Sequence, residues 1–132
     1  MVRIQELSAG RYWQHLNMSL EPVSNGHVGV SMEITDELIN YYGNVHGGAI
    51  ASLMDTCIGV AINQQVPIEQ GSSTVEMKLN YIRPASKGIL HGQASVVHKG
   101  RNIVVAYGEI MDDAGAIVAF GTATFMLSNT DK

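Results

Sequence analysis

Residues Asn40–Gln64, NYYGNVHGGAIASLMDTCIGVAINQ, form the stretch that decides the fold. It begins with turn-forming residues and a His-Gly-Gly triplet at 46–48, and it continues as a long apolar run. Alanine, isoleucine, leucine and methionine favour helix, and no proline interrupts the run before Pro67. A helix that is apolar nearly all round is typical of a protein interior. We therefore expect a buried central helix over residues 46–64.

The only charge between residues 49 and 63 of this run is Asp55. Gly48, Ser52, Asp55 and Gly59 recur at helical spacing, so they share one side of the helix. A buried, unpaired carboxylate is costly, so such an aspartate is normally paired, hydrogen-bonded or functional. Asp55 is therefore the first candidate for a site. The alternative is a structural aspartate held by hydroxyls or backbone amides.

Composition limits the class of protein. With 132 residues, 45% of them hydrophobic and 15% charged, the chain suits one globular domain over residues 1–132. A net charge of −4 argues against a nucleic-acid partner. The single cysteine, Cys57, cannot form an intrachain disulfide and is expected to be a small core residue. The N-terminus has no signal-like apolar segment and no stretch suits a membrane span, so we expect a cytoplasmic protein without a membrane partner.

The segments before the central helix predict one short helix and a hairpin. Residues 1–16 are expected to form the helix, with contacts to the core from Ile4, Leu7, Trp13 and Leu16. Asn25-Gly26 separates two strand-like runs, 18–23 and 27–34, and predicts a β-hairpin.

The segments after the helix have the patterns of β-strands. Polar and apolar residues alternate from Thr74 to Tyr81, which predicts a strand with Thr74 on the face opposite to Met77. Turn signals then separate three further strands, at 89–98, 102–111 and 116–127, and the short connections imply antiparallel pairing. The predicted fold class is α+β, an antiparallel sheet wrapped around one central helix.

The start of the central helix is a second candidate site. First-turn amides have no acceptor within a helix, and glycine leaves its amide unshielded. Together with the helix dipole, Gly47 and His46 could therefore hold a carbonyl oxygen as it gains negative charge. A Gly-Gly turn required only for packing is the alternative. The sequence has no G-x-S-x-G elbow, P-loop or dinucleotide fingerprint, and its histidines and single cysteine have no metal-ligand spacing.

The run from Asn40 through His46-Gly47-Gly48 to Asp55 resembles the hotdog-fold acyl-CoA thioesterases with an HGG motif. The branch that it resembles includes phenylacetate-pathway thioesterases and 4-hydroxybenzoyl-CoA thioesterase. The segments TVEMKLNYIRPA (74–85), HKGR (98–101) and AFGTAT (119–124) resemble the same branch. The resemblance implies a sheet of five or six strands around the helix, a homodimer or homotetramer, and hydrolysis of an acyl-CoA, with an aromatic acyl group among the candidates.

The resemblance also implies roles for individual residues. Gly47 would donate its N–H to the thioester carbonyl, and His46 would support that turn or the thioester end of the substrate. Asp55 would act as the general base for water or as a nucleophile that forms a mixed anhydride. Asn40 would help to hold substrate or water, and Thr74 would orient the water. Ser73 takes the place of Thr74 if the register is shifted by one residue.

Helix geometry indicates that such a site spans two subunits. Gly47 and Asp55 are eight residues apart, about 12 Å along a helix axis at ~1.5 Å per residue. A donor and a base that act on one carbonyl must lie within roughly 7 Å of each other. Two antiparallel helices across a two-fold axis could bring Gly47 of one chain to Asp55 of the other.

Five of the eight basic residues fall between positions 78 and 101. Coenzyme A carries phosphates, so an acidic protein that binds it needs local basic residues. The expected contacts are Arg83 and the turn Lys99-Gly100-Arg101. No metal or separate cofactor is expected, because coenzyme A arrives as part of the substrate. An acyl-carrier protein is an alternative carrier, and a hydratase or dehydratase, or a non-catalytic acyl-CoA-binding module, are alternative functions.

Overall fold

The structure is a computed structural model that describes residues 2–129. It contains three helices and six strands: α1 Val2–Ser8, α2 Arg11–His15, β1 Met18–Pro22, β2 Val28–Glu33, α3 Gly47–Asn63, β3 Gln70–Tyr81, β4 Ile89–Lys99, β5 Ile103–Met111 and β6 Ile117–Asn129. Two short 3-10 turns, Ser24–Gly26 and Asp36–Leu38, join β1 to β2 and follow β2. This confirms the predicted α+β class, with six strands and one long helix.

The strands form one antiparallel sheet in the order β1-β2-β4-β5-β6-β3. Its two edges differ. The β1 edge has five residues and ends in Pro22, whereas the β3 edge has twelve residues and no proline. Strands β4, β5 and β6 are neighbours both in sequence and in the sheet. Among the described strands, β3 pairs only with β6.

One side of α3 packs on the concave face of the sheet. Its buried residues include Leu53, Met54 and Ile58, each with no exposed surface. Glycines in the strands allow this close approach: a Cβ at Gly108 would lie 2.5 Å from Met54 Sδ. Burial of large apolar side chains here supplies the core.

The predicted alternation in β3 is wrong at its centre. The register of β3 against β6 shifts between Thr74 and Glu76, so Val75 is the extra residue of a β-bulge. The bulge turns Thr74 toward α3, on the same side as Met77, and leaves Val75 54% exposed. Tyr81 lies on the same side as Met77, as the alternation predicts, because its hydroxyl donates to the Gly47 carbonyl of α3; its side chain is 53% exposed.

The N-terminal segment forms two helices rather than one, and residue 1 of the predicted helix lies outside the described range. Arg3 in α1 donates to the carbonyls of Pro67 and Gln70, and Tyr12 in α2 contacts Ser52. The segment therefore runs antiparallel to α3 along the side that does not face the sheet. Ile4, Trp13 and Leu16 are buried as predicted, but Leu7 is 41% exposed. None of the described helices combines the length and apolarity that a membrane span requires.

Candidate active site

The side of α3 away from the sheet carries small and polar residues. These residues border three cavities, which follow one another along the helix axis. The N-terminal cavity, about 220 Å³, is bordered by His46, Gly48 and Ser52. The middle cavity, about 360 Å³, is bordered by Ser52, Asp55, Thr74 and Met77. The C-terminal cavity, about 230 Å³, is bordered by Asp55, Thr74, Gly59, Trp13 and Phe125. All three adjoin the stripe that the sequence singled out.

The first turn of α3 is capped by His46. Its Nδ1 accepts a hydrogen bond of 2.8 Å from the Gly48 N–H, the role that serine or aspartate usually has at this position. A neutral His46 with this acceptor carries its proton on Nε2. The Gly47 N–H has no acceptor among the described residues, whereas the Gly47 carbonyl accepts from the Tyr81 hydroxyl at 3.2 Å.

The two glycines of the triplet differ in their surroundings. A Cβ at Gly48 would lie 3.0 Å from His46 Nδ1, so a side chain here would push the capping imidazole away by a few tenths of an ångström. A Cβ at Gly47 would meet only the Tyr81 ring, at 3.7 Å, an ordinary contact. Gly48 thus fits the packing interpretation, and Gly47 is the residue that leaves an unpaired first-turn donor.

Asp55 and Thr74 are brought together. The Thr74 hydroxyl donates to Asp55 Oδ1 at 2.6 Å, and no described residue donates to Oδ2. Both side chains border the middle and C-terminal cavities. Ser73, the residue named for a shifted register, borders only the C-terminal cavity and makes no hydrogen bond to Asp55.

Gly47 and Asp55 are not brought together within one chain. They lie eight residues apart on α3, and they contact β3 at Tyr81 and Thr74, which are seven residues apart. At about 3.3 Å per residue, that part of β3 spans roughly 20 Å. The chain therefore holds a donor and a carboxylate at separate places on one helix.

The Asn40 side chain stabilises the loop before α3 by hydrogen bonds to its backbone. Its Oδ1 accepts from the backbone N–H groups of Tyr42, at 2.9 Å, and Asn44, at 3.2 Å. Such a bond pattern stabilises a turn. The side-chain oxygen predicted to hold substrate or water is thus engaged by the backbone that leads into His46.

The basic residues expected to bind coenzyme A lie at two ends of the sheet. Arg83 Nε donates to the Ile117 carbonyl, at the start of β6. Lys99 pairs with Val104, which pairs with Phe125, eight residues further along β6. The two positions are separated by roughly 26 Å along the strand. One chain cannot place Arg83 and the 99–101 turn on the same phosphate.

Three polar contacts carried no signal in the sequence. The Tyr12 hydroxyl lies 2.6 Å from Ser52 Oγ. On the outer face of the sheet, His91 Nδ1 binds Glu21 at 2.8 Å and His91 Nε2 binds Asp113 at 2.8 Å. The partners are 22 to 70 residues apart, so no local spacing could reveal them.

The hydrogen bonds of the His91 cluster shift two pKa values. The bond to Asp113, with a smaller contribution from Glu21, raises the pKa of His91 above its usual value of 6.5. The same bond lowers the pKa of Asp113 below 3.8. Within residues 2–129, no group of histidine, cysteine or carboxylate side chains is arranged to hold a metal ion.

Comparisons with known proteins identify the family. Residues 42–119 match the model of the thioesterase superfamily. A relative from Halobacterium salinarum is 31% identical over 127 residues, which cover 88% of this chain and 83% of the relative. The medium/long-chain acyl-CoA thioesterase YigI of Escherichia coli is 25% identical over 63% of this chain and 62% of its own length.

A solved structure agrees in the arrangement of the chain. A Bacillus halodurans protein crystallised with CoA has a TM-score of 0.85 and 29% identity, over 98% of this chain and 89% of that one. The residues that match the family model include α3, β3, β4 and β5. The chain therefore belongs to the thioesterase superfamily, has its hotdog fold, and is a thioester hydrolase.

Proposed function

We propose that the protein hydrolyses an acyl-CoA thioester to a free acid and CoA in a site shared by two subunits. The observation that carries the proposal is the hydrogen bond from Thr74 to Asp55, which holds one carboxylate oxygen and leaves Oδ2 without a donor among residues 2–129. A carboxylate held in this way can take a proton from water. The names of two similar proteins support the choice of carrier, since one is an acyl-CoA thioesterase and the other was crystallised with CoA.

The chemistry divides between the first turn of α3 and the middle of that helix. The Gly47 N–H donates to the thioester carbonyl oxygen, and the helix dipole favours the negative charge that develops there. Asp55 removes a proton from water, whose oxygen attacks the carbonyl carbon; the C–S bond breaks, and the departing thiolate takes up a proton. The Thr74 hydroxyl donates to Asp55, so its oxygen can accept a hydrogen bond from that water. The covalent alternative, attack by Asp55 itself, uses the same residues.

The β3 edge supports a two-fold arrangement. Its twelve residues, free of proline, present an unpaired strand edge, which is a template for pairing with another strand. Antiparallel pairing of two β3 strands would place Tyr81, and therefore Gly47, of one subunit near Thr74 of the partner subunit. It would also bring Arg83 to the end of the sheet that carries Lys99 of the partner subunit. A homodimer, or a homotetramer built from it, would thus bring Gly47 of one subunit close to Asp55 of the other. It would also bring Arg83 of one subunit close to the 99–101 turn of the other.

The first experiment measures thiol release from aromatic, short-chain and long-chain acyl-CoAs. Asp55→Asn should lower kcat by about a hundredfold or more, because the amide cannot accept the proton. Asp36→Asn, at an exposed carboxylate outside the three cavities, is the matched control. Equal activity of wild type and Asp55→Asn would contradict the role of Asp55. Absence of turnover with every CoA ester would favour a carrier-protein ester or a binding role.

A mixing experiment tests the shared site. Gly47→Pro deletes the amide donor but retains the helix, because proline suits the first helical position and His46, at φ −59° and ψ 136°, suits a following proline. Each variant alone should be inactive. Random association of Asp55→Asn with Gly47→Pro subunits makes half of the dimers mixed, each with one intact site, so about a quarter of wild-type activity should return. No recovery in verified mixed dimers would show that each site lies within one chain.

A further inference from the structure

Tyr12 is a side chain at the cavities to which the proposed mechanism gives no role. It lies on α2 and is 58% exposed, with its hydroxyl 2.6 Å from Ser52 Oγ. The Ser52 hydroxyl also lies 3.0 Å from the Gly48 carbonyl oxygen. Because a carbonyl only accepts, Ser52 donates to Gly48 and Tyr12 donates to Ser52. This bond ties α2 to α3 in the stripe that carries Asp55.

The position of this bond marks a boundary between two cavities. Tyr12 and Ser52 are the two residues that border both the N-terminal and the middle cavity. The middle cavity extends from this boundary to Asp55 and is otherwise bordered by Ala51, Thr56, Thr74 and Met77. The small Ala51 and the flexible Met77 are apolar, and such side chains suit an acyl group that starts at Asp55.

Beyond Tyr12, the N-terminal cavity continues along α3 with apolar walls. Leu16, Leu38, Ile39 and Ala49 border it, together with Glu37 at its polar part. From Gly48 to Asp55 the helix rises by roughly 10 Å at about 1.5 Å per residue. The two cavities therefore lie in line, and the tyrosine side chain stands where one meets the other.

We propose that Tyr12 sets the length of the straight-chain acyl group that the site accepts, by forming the far wall of the middle cavity. This inference rests on the proposed acyl-CoA hydrolysis. Short chains end at the Tyr12 ring, and the ring excludes longer chains. Removal of the ring joins the middle cavity to the N-terminal cavity and admits a longer chain.

The test compares wild type, Tyr12→Ala and Tyr12→Phe on a series of straight-chain acyl-CoAs. Tyr12→Ala should raise the ratio of long-chain to short-chain kcat/KM about tenfold or more. Tyr12→Phe retains the ring and should keep the wild-type ratio. Buried Trp13 and Leu16 hold α2 in place in both variants. A structural role alone would lower kcat/KM by a similar factor at every chain length, and that result would overturn the proposal.

Binding of S-alkyl-CoA thioethers, measured by calorimetry, separates this inference from the proposed reaction. If wild type hydrolyses no acyl-CoA, yet Tyr12→Ala shifts thioether binding toward longer chains, the role of Tyr12 stands and the proposed reaction fails. If hydrolysis occurs but the three proteins share one chain-length profile for binding and turnover, the role of Tyr12 is wrong. If no acyl-CoA is hydrolysed and no thioether binds, both proposals are wrong.

Discussion

The two sides of α3 differ in what their residues do. Toward the sheet, Leu53, Met54 and Ile58 have no exposed surface and pack against strands that approach closely. On the other side, Ser52 and Asp55 are partly exposed, make hydrogen bonds to α2 and β3, and border cavities. Successive residues of a helix are rotated by about 100°, so one helix can carry core residues on one side and candidate site residues on the other. Neighbours in sequence, such as Ser52 and Leu53, should therefore respond differently to substitution.

The largest expected effect concerns the thiol on the sheet side. Burial, with a smaller contribution from Asp55, raises the pKa of Cys57 from 9.0 to about 12. Because the thiolate is the reactive form, the folded thiol should react with an alkylating reagent at about pH 8 roughly a thousandfold more slowly than in urea-unfolded protein. Labelling followed by mass spectrometry measures both rates. Rapid labelling of native protein would mean that this side of α3 opens to solvent.

Next is the core contribution of Leu53. Leu53→Ala removes a fully buried side chain and should lower the free energy of unfolding by about 2–5 kcal/mol. The adjacent control, Ser52→Ala, loses two exposed hydrogen bonds, with Tyr12 and with the Gly48 carbonyl, and should cost about 1 kcal/mol. Urea unfolding of the two variants measures the difference. Similar losses would break the distinction between the two sides.

Thr74 of β3 contacts the side of α3 that carries Asp55, and its substitution should affect the reaction rate more than the stability of the fold. Thr74→Val removes the hydroxyl that binds Asp55 at nearly constant volume and should lower kcat by about tenfold to a hundredfold. Ser73→Ala should lower kcat by less than about threefold, because its hydroxyl makes no bond to Asp55. Steady-state kinetics of both variants decides between the two hydroxyls. A larger effect at Ser73 would show that the bulge of β3 is in the wrong register.

The smallest effect comes from His91, which lies on neither side of α3. Its pKa is raised in the folded protein, so its bonds stabilise the fold below pH 6.5 and lose that contribution as the pH rises through the folded value. The free energy of unfolding should therefore differ more between wild type and His91→Gln at about pH 5.5 than at about pH 8.5. Glu21 and Asp113 are the charges that face the ring. A pH-independent difference would show that the ring acts only by packing.

Much of the fold follows from local patterns in the sequence. The apolar run predicts α3 to within a residue or two at each end, and turn residues separate the strands that the structure contains. The Asp55–Thr74 contact does not follow from these patterns, because strict alternation places Thr74 on the wrong face and only the family resemblance singles it out. A bulge depends on pairing with β6, which no local pattern contains.

Contacts between residues far apart in the sequence could not be predicted from local patterns either. Tyr12 and Ser52 are 40 residues apart, and Glu21 and His91 are 70 residues apart. Neither pair belongs to a motif, and of the four residues only Ser52 belongs to a local pattern, the side of α3 that carries Asp55. Only the path of the N-terminal segment along α3, and the sheet order, bring them together.

The order of the strands in the sheet has a consequence for folding during synthesis on the ribosome. Strand β3 is made soon after α3, but its only partner among the described strands is β6, and Thr74 pairs with Phe125. About fifty residues must therefore emerge before β3 is covered and Thr74 is held against Asp55. Until then the nascent chain exposes both edges of a twelve-residue strand beside an apolar helix, a state that invites aggregation. Strand β6, the last of the described strands to be synthesised, thus completes both the fold and the candidate site.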